Sequence, residues 1–303
     1  MKNKILITGG AGFIGSHLVD YFVKYKHKVV VVDDLSTGNI KNIEGKRVDF
    51  HKLDIGKNYA KKTLVQLLKN VDYVFHLAAI PRTQYCVENP EKCNQANVNG
   101  TLNLLEACRQ SKIKKLIHAS SCGIYGPNHY RAIKETDRIN LGTPYAVQKY
   151  VQELYIKLYT DLYNIPSVIL RYFNVYGTKR QSEKGSYPNV LASFLRAKKK
   201  DGKIYITGNG KQSRDMVHVY DVVRANVIAM RSRFKNGEVF NIGTGRAITV
   251  NEMGKYFNCP IEYIEPRPGE AFKLQADTKK VETLLKWKAK IDFARGIKIY
   301  LKS

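Results

Sequence analysis

The sequence predicts an α/β protein with a doubly wound parallel sheet and a smaller C-terminal lobe. Over the first two thirds of the chain, short β-branched runs alternate with stretches of helical periodicity. The strand-like runs are continuously apolar rather than alternating, which is typical of parallel strands covered by helices on both faces. Beyond Asn174 the elements shorten and Gly, Pro and Lys become more frequent, which indicates the second lobe.

The individual elements follow from these patterns in chain order. Strands are expected at 4–8, 29–32, 71–77, 116–119 and 167–171, and helices at 16–25, 96–111 and 144–163. We assign residues 1–173 to one domain and expect 215–245 to contribute back to its sheet, through segments 216–219 and 239–242. Residues 174–214 and 246–303 are assigned to the smaller lobe, in which 204–207 also has strand character.

The chain is strongly basic, because 51 Lys and Arg residues face 26 Asp and Glu residues and give a formal charge of +25. Such a charge can attract nucleic acid or an anionic membrane, line a pocket for a doubly anionic ligand, or be spread over solvated faces. Lysines recur along the whole chain, so we favour the third explanation. No RNA-binding signature, zinc-finger spacing or basic zipper favours nucleic acid as a partner.

The five cysteines form no C-x-x-C pair, which favours a reduced protein without disulfides or a metal site. The first residues run directly into a glycine-rich turn and leave no room for a signal peptide. No stretch approaches the roughly 20 apolar residues of a membrane span. We therefore expect a cytoplasmic protein that does not enter the membrane.

A glycine-rich turn separates the first strand from the first helix, with the sequence Thr-Gly-Gly-Ala-Gly-Phe-Ile-Gly at 8–15. Gly9 permits a tight turn, Gly12 lets the backbone approach a pyrophosphate, and Gly15 lets helix and strand pack closely. Asp33 ends the second strand, where an acid binds the adenosine ribose hydroxyls and repels a 2′-phosphate. This combination predicts a Rossmann fold that binds NAD in preference to NADP.

Two further aspartates have simpler explanations as well. Asp34 is adjacent to Asp33 and fits a loop or helix-cap residue as readily as a second ribose ligand. Asp54 ends the short strand-like run that begins at His51 and can accept a hydrogen bond from the adenine amine. Aspartates are also common in turns, which is the simpler explanation.

Ser121, Tyr145 and Lys149 have the residue types and the order needed to oxidise an alcohol. Ser121 follows the strand at 116–119, and the carboxyl ends of parallel strands face the ligand crevice. Tyr145 and Lys149 lie four residues apart and share one face of the predicted helix. A free tyrosine has a pKa of about 10, and a nearby ammonium favours the phenolate that can act as a base. Because the chain has twenty tyrosines, chance can also supply this spacing, and Tyr155 and Tyr159 fit packing positions on the same helix.

The motifs occur in a fixed order along most of the chain, from residue 4 to about residue 277. They are the glycine turn, Val-Asp-Asp-Leu-Ser-Thr-Gly at 32–38, His-Leu-Ala-Ala at 76–79, Asn-Val-Asn-Gly-Thr at 97–101, Tyr-Ala-Val-Gln-Lys at 145–149, Arg-Tyr-Phe-Asn-Val-Tyr-Gly at 171–177, Arg-Asp-Met-Val-His-Val at 214–219, Asn-Ile-Gly-Thr-Gly at 241–245 and Arg-Pro-Gly-Glu at 267–270. This set resembles the extended short-chain dehydrogenase/reductase family, and within it the UDP-hexose 4-epimerases.

The resemblance implies roles for individual residues. Those implied to contact NAD, besides the glycines and the pair Tyr145 and Lys149, are Phe13, Ile14, Asp33, Asp34, Ser36, Thr37, Gly38, Asp54, Ile55, Leu77, Ala78, Ala79, Ile80, Asn97 and Phe173. Those implied to contact a UDP-sugar, besides Ser121 and Tyr145, are Asn174, Arg214, Arg267 and Glu270. Arginines suit a pyrophosphate and a glutamate suits ribose hydroxyls.

The positions after Ser121 narrow the reaction within the family. Family members that eliminate water carry Asp-Glu at this place, and those that release carbon dioxide carry a nearby Glu, whereas this chain has Cys122 and Gly123. Epimerisation at C4 needs no such group, so we expect an epimerase. A GDP-fucose synthase pattern is interrupted by Gly123, and Asp33 disfavours the NADP that those enzymes use.

Substrate and assembly are predicted from fewer residues. The resemblance places Leu274 at a position that gates the space beside the sugar C2 substituent, so its size predicts that N-acetylhexosamine forms are also accepted. Arg82 departs from the epimerase pattern and leaves open a uronate substrate. The family resemblance further implies a homodimer formed through the helices at 96–111 and 144–163. The alternatives are another nucleotide-sugar enzyme of the family, such as a uronate epimerase, a dehydratase or a reductase, and a non-enzymatic NAD-sensing or RNA-binding Rossmann protein.

Overall fold

The computed structural model describes residues 2–127, 131–181, 189–266 and 272–302. Thirteen strands are described in these ranges: β1 Lys4–Thr8, β2 Lys28–Asp33, β3 Asp49–Lys52, β4 Tyr73–His76, β5 Lys115–Ser121, β6 Ser167–Tyr172, β7 Asn174–Tyr176, β8 Ile204–Thr207, β9 Ser213–His218, β10 Asn236–Ile242, β11 Ala247–Thr249, β12 Ile261–Ile264 and β13 Lys273–Leu274. The α-helices described are α1 Phe13–Lys24, α2 Ala60–Leu67, α3 Thr83–Glu88, α4 Pro90–Asn94, α5 Gly100–Arg109, α6 Pro144–Tyr163, α7 Val190–Asp201, α8 Val219–Arg231, α9 Val250–Lys255, α10 Lys279–Leu284 and α11 Phe293–Lys302.

Seven strands form the central sheet in the order β10-β6-β5-β4-β1-β2-β3. The pairs of β1 with β2 and β4, of β2 with β3 and of β4 with β5 are parallel. The order reverses beside β1, which is the point where ligands bind in open α/β sheets. The predicted fold class, a Rossmann-type sheet with a smaller C-terminal lobe, is confirmed.

The central sheet is buried on both faces, which explains its continuous apolar strands. Leu6 of β1 and Val74 of β4 belong to one buried cluster with side chains of α2, α5 and α6. Ile7 and Phe75 alternate to the opposite face, where the Phe75 ring lies 5.1 Å from the ring of Phe22 on α1. Because both faces of the sheet are covered by helices, polar groups that bind a ligand are expected in the loops that follow the carboxyl ends of the strands.

Contact clustering divides the chain into two compact units. The first comprises residues 1–124, 141–171 and 223–240, and the second comprises 125–140, 172–222 and 241–303. In the second unit, β9 pairs with β7, β11 and β13, while β8 pairs with β12. The expectation that residues 216–219 return to the central sheet is wrong, because Met216 and Val217 pair in β9 with β7, whereas residues 239–242 do join the central sheet in β10.

Several predicted boundaries differ from the observed ones. Helix α6 has the predicted bounds. The helix expected at 96–111 is observed as a π-helical turn Gln95–Asn99, which follows α4 directly, and as α5, which ends at Arg109. A π-turn is often found at a functional site, and this one includes Asn97. No helix in the described ranges has the length and apolar content needed to cross a bilayer.

Candidate active site

The glycine-rich turn is closely packed, and Gly9 and Gly15 have no room for a side chain against the backbone. Gly9 has a φ of +70°, and a Cβ atom there would lie 2.8 Å from the backbone nitrogen of Ala78. A Cβ on Gly15 would lie 2.1 Å from the carbonyl oxygen of Gly9. Gly12 is the N-cap of α1 and provides no side-chain acceptor, and the first turn of α1 has no acidic residue. The helix N-terminus is therefore available to an anion such as a pyrophosphate.

Asp33 lies beside this turn at the carboxyl end of β2. Its buried carboxylate accepts hydrogen bonds of 2.9 Å from the N–H groups of Ala11 and Leu35. Burial raises the pKa of Asp33, and these backbone hydrogen bonds lower it in part. A Cβ on Gly38 would lie 2.8 Å from Asp33 Oδ1, so glycine at 38 lets the following loop approach the carboxylate. The glycine turn, the helix N-terminus and this acid together fit the pyrophosphate and ribose of NAD.

The other residues predicted for the adenosine half have local roles as well. Asp34 Oδ1 accepts hydrogen bonds from the N–H and Oγ of Ser36, so it stabilises its own loop. Asp54 Oδ1 accepts from the N–H of Gly56 at 2.9 Å. Phe13 and Ile14 are half-buried at the start of α1, Ser36 and Thr37 are exposed, and Ile55 is buried. Their contacts with adenosine stay predictions.

The segment from Leu77 to Ile80 leaves β4 and is fixed by hydrogen bonds. The N–H of Leu77 donates to the carbonyl oxygen of Thr8 at 3.1 Å, and that of Ile80 donates to Asn97 Oδ1 at 2.7 Å. Asn97 is fully buried and donates through Nδ2 to Gln148 Oε1 at 2.8 Å. Asn97 therefore joins this predicted nicotinamide-side segment, which includes Ala78 and Ala79, to α6.

Two buried histidines beside this segment were missed by sequence reasoning, although His76 opens one of the matched motifs. His76 lies between the hydroxyls of Thr8 and Thr101, each 2.8 Å from a ring nitrogen. Its ring centroid is 5.3 Å from that of His118, whose ring nitrogens have no hydrogen-bond partner among the described residues. Burial lowers the pKa of His76 to about 3 and that of His118 well below its usual value, so both rings are neutral.

Ser121 and Tyr145 are brought together by the end of β5 and the start of α6. Thr143 caps α6 by accepting a hydrogen bond from the N–H of Ala146, which places Tyr145 in the first turn. Burial raises the pKa of Tyr145, and a hydrogen bond with Ser121 lowers it. Ser121 Oγ also accepts from the N–H of Gly123 at 3.1 Å. The predicted base and its serine partner are therefore in direct contact.

Lys149 lies one helical turn after Tyr145 and is almost completely buried. Its Nζ donates to the carbonyl oxygen of Ala119 at 2.8 Å. Burial lowers the pKa of Lys149 to about 7, while the charge of Glu153 raises it. Glu153 is a further residue that sequence reasoning missed, although its i+4 spacing from Lys149 was a usable signal. The three residues predicted to be catalytic, Ser121, Tyr145 and Lys149, thus lie within the first unit.

Apart from Ser121 and Tyr145, the described residues predicted to contact the substrate lie in the second unit, as does Phe173. The ring centroid of Phe173 lies 6.5 Å from that of Tyr125. Asn174 is on β7, and its Oδ1 has no hydrogen-bond partner among the described residues, which fits a ligand contact. Leu274 is in register with Arg214 on the neighbouring strand, so the two side chains share one face of the small sheet. Arg267 and Glu270 lie outside the described residues.

No group of three or more His, Cys, Asp or Glu residues in the described part of the chain is arranged to hold a metal ion.

Residues 5–243 match the model of the NAD dependent epimerase/dehydratase family. A relative from Methanocaldococcus jannaschii, a putative UDP-glucose 4-epimerase, is 42% identical over 97% of this chain and 96% of its own length.

Solved structures resemble the chain over its full length. UDP-glucose 4-epimerase from Thermotoga maritima, solved with UDP-glucose, has a TM-score of 0.92 and 35% identity over 99% of this chain and 97% of its own. UDP-N-acetylglucosamine 4-epimerase from Methanobrevibacter ruminantium, solved with UDP-N-acetylmuramic acid, has a TM-score of 0.93 and 33% identity over 100% of this chain and 98% of its own.

Proposed function

Because the chain belongs to the NAD dependent epimerase/dehydratase family, we propose that it inverts C4 of a UDP-hexose, with UDP-glucose and UDP-galactose as the basic pair. NAD is the cofactor of the family; the glycine turn, the N-terminus of α1 and Asp33 would hold it, and it would supply the hydride chemistry at C4. The reaction passes through a 4-keto sugar and leaves no net change in the cofactor.

The residues of the first unit supply the proton chemistry. Tyr145 takes the proton of the C4 hydroxyl and later returns it, while Ser121 holds the same oxygen. The buried ammonium of Lys149 favours the phenolate of Tyr145. The Ser121 hydrogen bond already acts against the increase that burial imposes on the Tyr145 pKa.

The residues next to Ser121 are the main reason for proposing epimerisation rather than loss of water or of carbon dioxide. Cys122 is buried, and Gly123 has no side chain where a Cβ would lie 3.3 Å from Ser121 Oγ and 3.9 Å from Tyr145 Cε1. No acid or base on these two residues is available to move a proton at C5 or C6. A reaction limited to C4, with rotation of the keto sugar, is the one that these groups support.

The second unit supplies groups for the nucleotide and the sugar. Arg214 and Arg267 are the proposed ligands of the diphosphate, to which Asn174 can donate a hydrogen bond from Nδ2. Glu270 is proposed to accept hydrogen bonds from the ribose hydroxyls. Leu274 is in register with Arg214. We propose that its side chain, smaller than an aromatic ring, leaves space beside the C2 substituent, so that UDP-N-acetylglucosamine is accepted as well.

Incubation with a panel of UDP-sugars, followed by NMR without added NAD, tests this proposal. Inversion at C4 without net NADH supports it, whereas loss of water or carbon dioxide, or accumulation of NADH, rejects it. UDP-glucuronate belongs in the panel, because the half-buried Arg82 is a cation that can meet a carboxylate. Salt-sensitive RNA binding by Tyr145→Phe, with no epimerase activity in the parent protein, favours the non-enzymatic alternative.

We also propose that the protein is a homodimer that pairs through α6. Val147, Leu154, Leu158 and Leu162 are exposed on this helix, with 41% or more of each residue accessible in a stripe of i, i+7, i+11 and i+15 spacing. An exposed apolar stripe of this length fits a helix–helix interface, and a second copy of α6 offers a complementary surface.

A further inference from the structure

The two serines at the end of β5 form hydrogen bonds with different residues of α6. Ser121 is in contact with Tyr145 in the first turn of α6, whereas Ser120 is in contact with Glu153, about two turns further along the helix. Ser120 is buried, and its Oγ donates a hydrogen bond of 2.5 Å to Glu153 Oε1. The proposed function uses Ser121 and leaves Ser120 and Glu153 without a role.

Glu153 is held in one position by an ion pair inside the first unit. Arg171 Nε donates to Glu153 Oε1 at 2.9 Å, and Arg171 Nη2 donates to Oε2 at 2.7 Å. The exposed fractions of the two side chains are 4% for Arg171 and 1% for Glu153. Removing charges from water offsets much of the attraction of a buried pair, so its presence is weak evidence for a role in stability. A role in the neighbouring site is the alternative.

The neighbour of Glu153 on α6 is Lys149, one helical turn earlier. Lys149 is buried and has a hydrogen bond to the carbonyl oxygen of Ala119, a neutral acceptor. The titratable groups near it include Tyr145 on α6, the neutral rings of His118 on β5 and His76 on β4, and Arg171 on β6. Glu153 is therefore the negative charge among these groups that favours the ammonium form.

We propose that Glu153 is a positioning residue, fixed by Ser120 and Arg171, whose carboxylate keeps Lys149 charged while Tyr145 exchanges its proton with the substrate. The inference rests on the proposed function for its catalytic consequence. Its electrostatic part concerns Lys149 alone. Burial alone favours the neutral amine of Lys149 and lowers its pKa, whereas the carboxylate of Glu153 raises that pKa.

The direct test is an NMR titration of Lys149 through the ¹³Cε shifts of labelled lysine, with the signal assigned by its absence in Lys149→Met. Glu153→Gln is expected to lower the Lys149 pKa by about one unit or more, which is a tenfold shift in its protonation equilibrium. In the activity assay, the alkaline loss of kcat is expected to move to lower pH by the same amount. Glu153→Asp, which keeps the charge, is expected to fall between Glu153→Gln and the parent.

Glu153→Gln removes the carboxylate that pairs with the buried charge of Arg171, which can prevent folding. The double variant Glu153→Gln/Arg171→Gln removes both charges and is expected to show the same direction of shift. Ser167→Ala is the control, because it removes a buried hydroxyl contact of 2.6 Å with Thr160 between the same helix and strand, away from Lys149.

An unchanged Lys149 pKa in the double variant overturns the proposal, and so does a uniform loss of kcat at every pH. A shifted Lys149 pKa in a protein that epimerises no UDP-sugar overturns the proposed function but supports the electrostatic role of Glu153. A shift of equal size in Ser167→Ala counts against a specific role of the carboxylate.

Discussion

Lys149 donates a hydrogen bond from Nζ to the carbonyl oxygen of Ala119, with 2.8 Å between the two atoms. This bond joins α6 to β5 directly before the pair Ser120 and Ser121. Because Tyr145 lies one turn earlier on α6, the same contact fixes the phenol beside Ser121. The triplet is therefore preorganised by the helix and the strand on which it is built.

Tyr145→Phe is expected to lower kcat for C4 inversion by about 10²–10⁴-fold, because general acid–base catalysis contributes this much. The glycine turn and Asp33 are unchanged, so NAD is expected to remain bound. Tyr155→Phe on the same helix is the control and is expected to keep kcat near the parent value. A loss of less than about tenfold in Tyr145→Phe, measured by the NMR assay, contradicts the assignment of the base.

Gly9→Ala is expected to weaken NAD retention and to lower the free energy of unfolding strongly, because the new Cβ meets the backbone of Ala78. Gly45→Ala is the matched control, since Gly45 has the same φ of +70° but a Cβ there would meet no atom within 4 Å. That variant has only the left-handed backbone cost, about 1–2 kcal/mol. Denaturant unfolding and bound NAD content measure the difference, and equal effects in both variants refute the packing argument.

Lys149→Met is expected to stabilise the folded protein, most strongly at low pH. Burial lowers the Lys149 pKa to about 7, whereas an unfolded lysine keeps about 10.4. Between these values the unfolded chain binds more protons, so the parent gains stability as the pH rises; below pH 7 the cost of the buried charge is fully present. The advantage of the variant in unfolding free energy is therefore expected to be largest at pH 6 and to shrink toward pH 10.

Lys157→Met removes an exposed charge from the same helix and is the control for this titration. The same pH dependence in both lysine variants is the result that contradicts a special environment of Lys149.

Leu274→Tyr is expected to reduce turnover of UDP-N-acetylglucosamine by about tenfold or more while sparing UDP-glucose, because the larger ring occupies the space beside C2. One misfitting group in a pocket typically changes discrimination by about 10–200-fold. The ratio of kcat/KM for the two sugars is the measurement. A parent protein that turns over UDP-glucose and leaves the N-acetyl sugar untouched refutes the assignment of Leu274.

Leu158→Glu is expected to convert a dimer into a monomer, because it places a charge in the middle of the apolar stripe on α6. Leu284→Glu changes another exposed leucine, on α10, and is expected to leave the dimer intact. Light scattering at several protein concentrations measures both variants. A parent protein that is monomeric at every concentration contradicts the proposed dimer.

Local patterns in the sequence determined the strand–turn–helix of the glycine motif, the helix 144–163 and the α/β class. These features depend on residues a few positions apart, such as Thr143 with Ala146 or Gly9 with Gly15. The same locality predicted Tyr145 and Lys149 as one face of a helix. Periodicity along one segment is sufficient for such inferences.

Only the tertiary structure decided which distant segments meet. The sequence shows strand character at 216–219 but not its partner, and pairing placed that segment with β7 in the small sheet rather than in the central one. The sequence likewise has no signal that Arg171 would reach Glu153, or that His118 would lie beside His76. Strand register and burial depend on contacts between residues far apart in the chain, so the burial of Lys149 and the ion pair that fixes Glu153 became visible only in the folded protein.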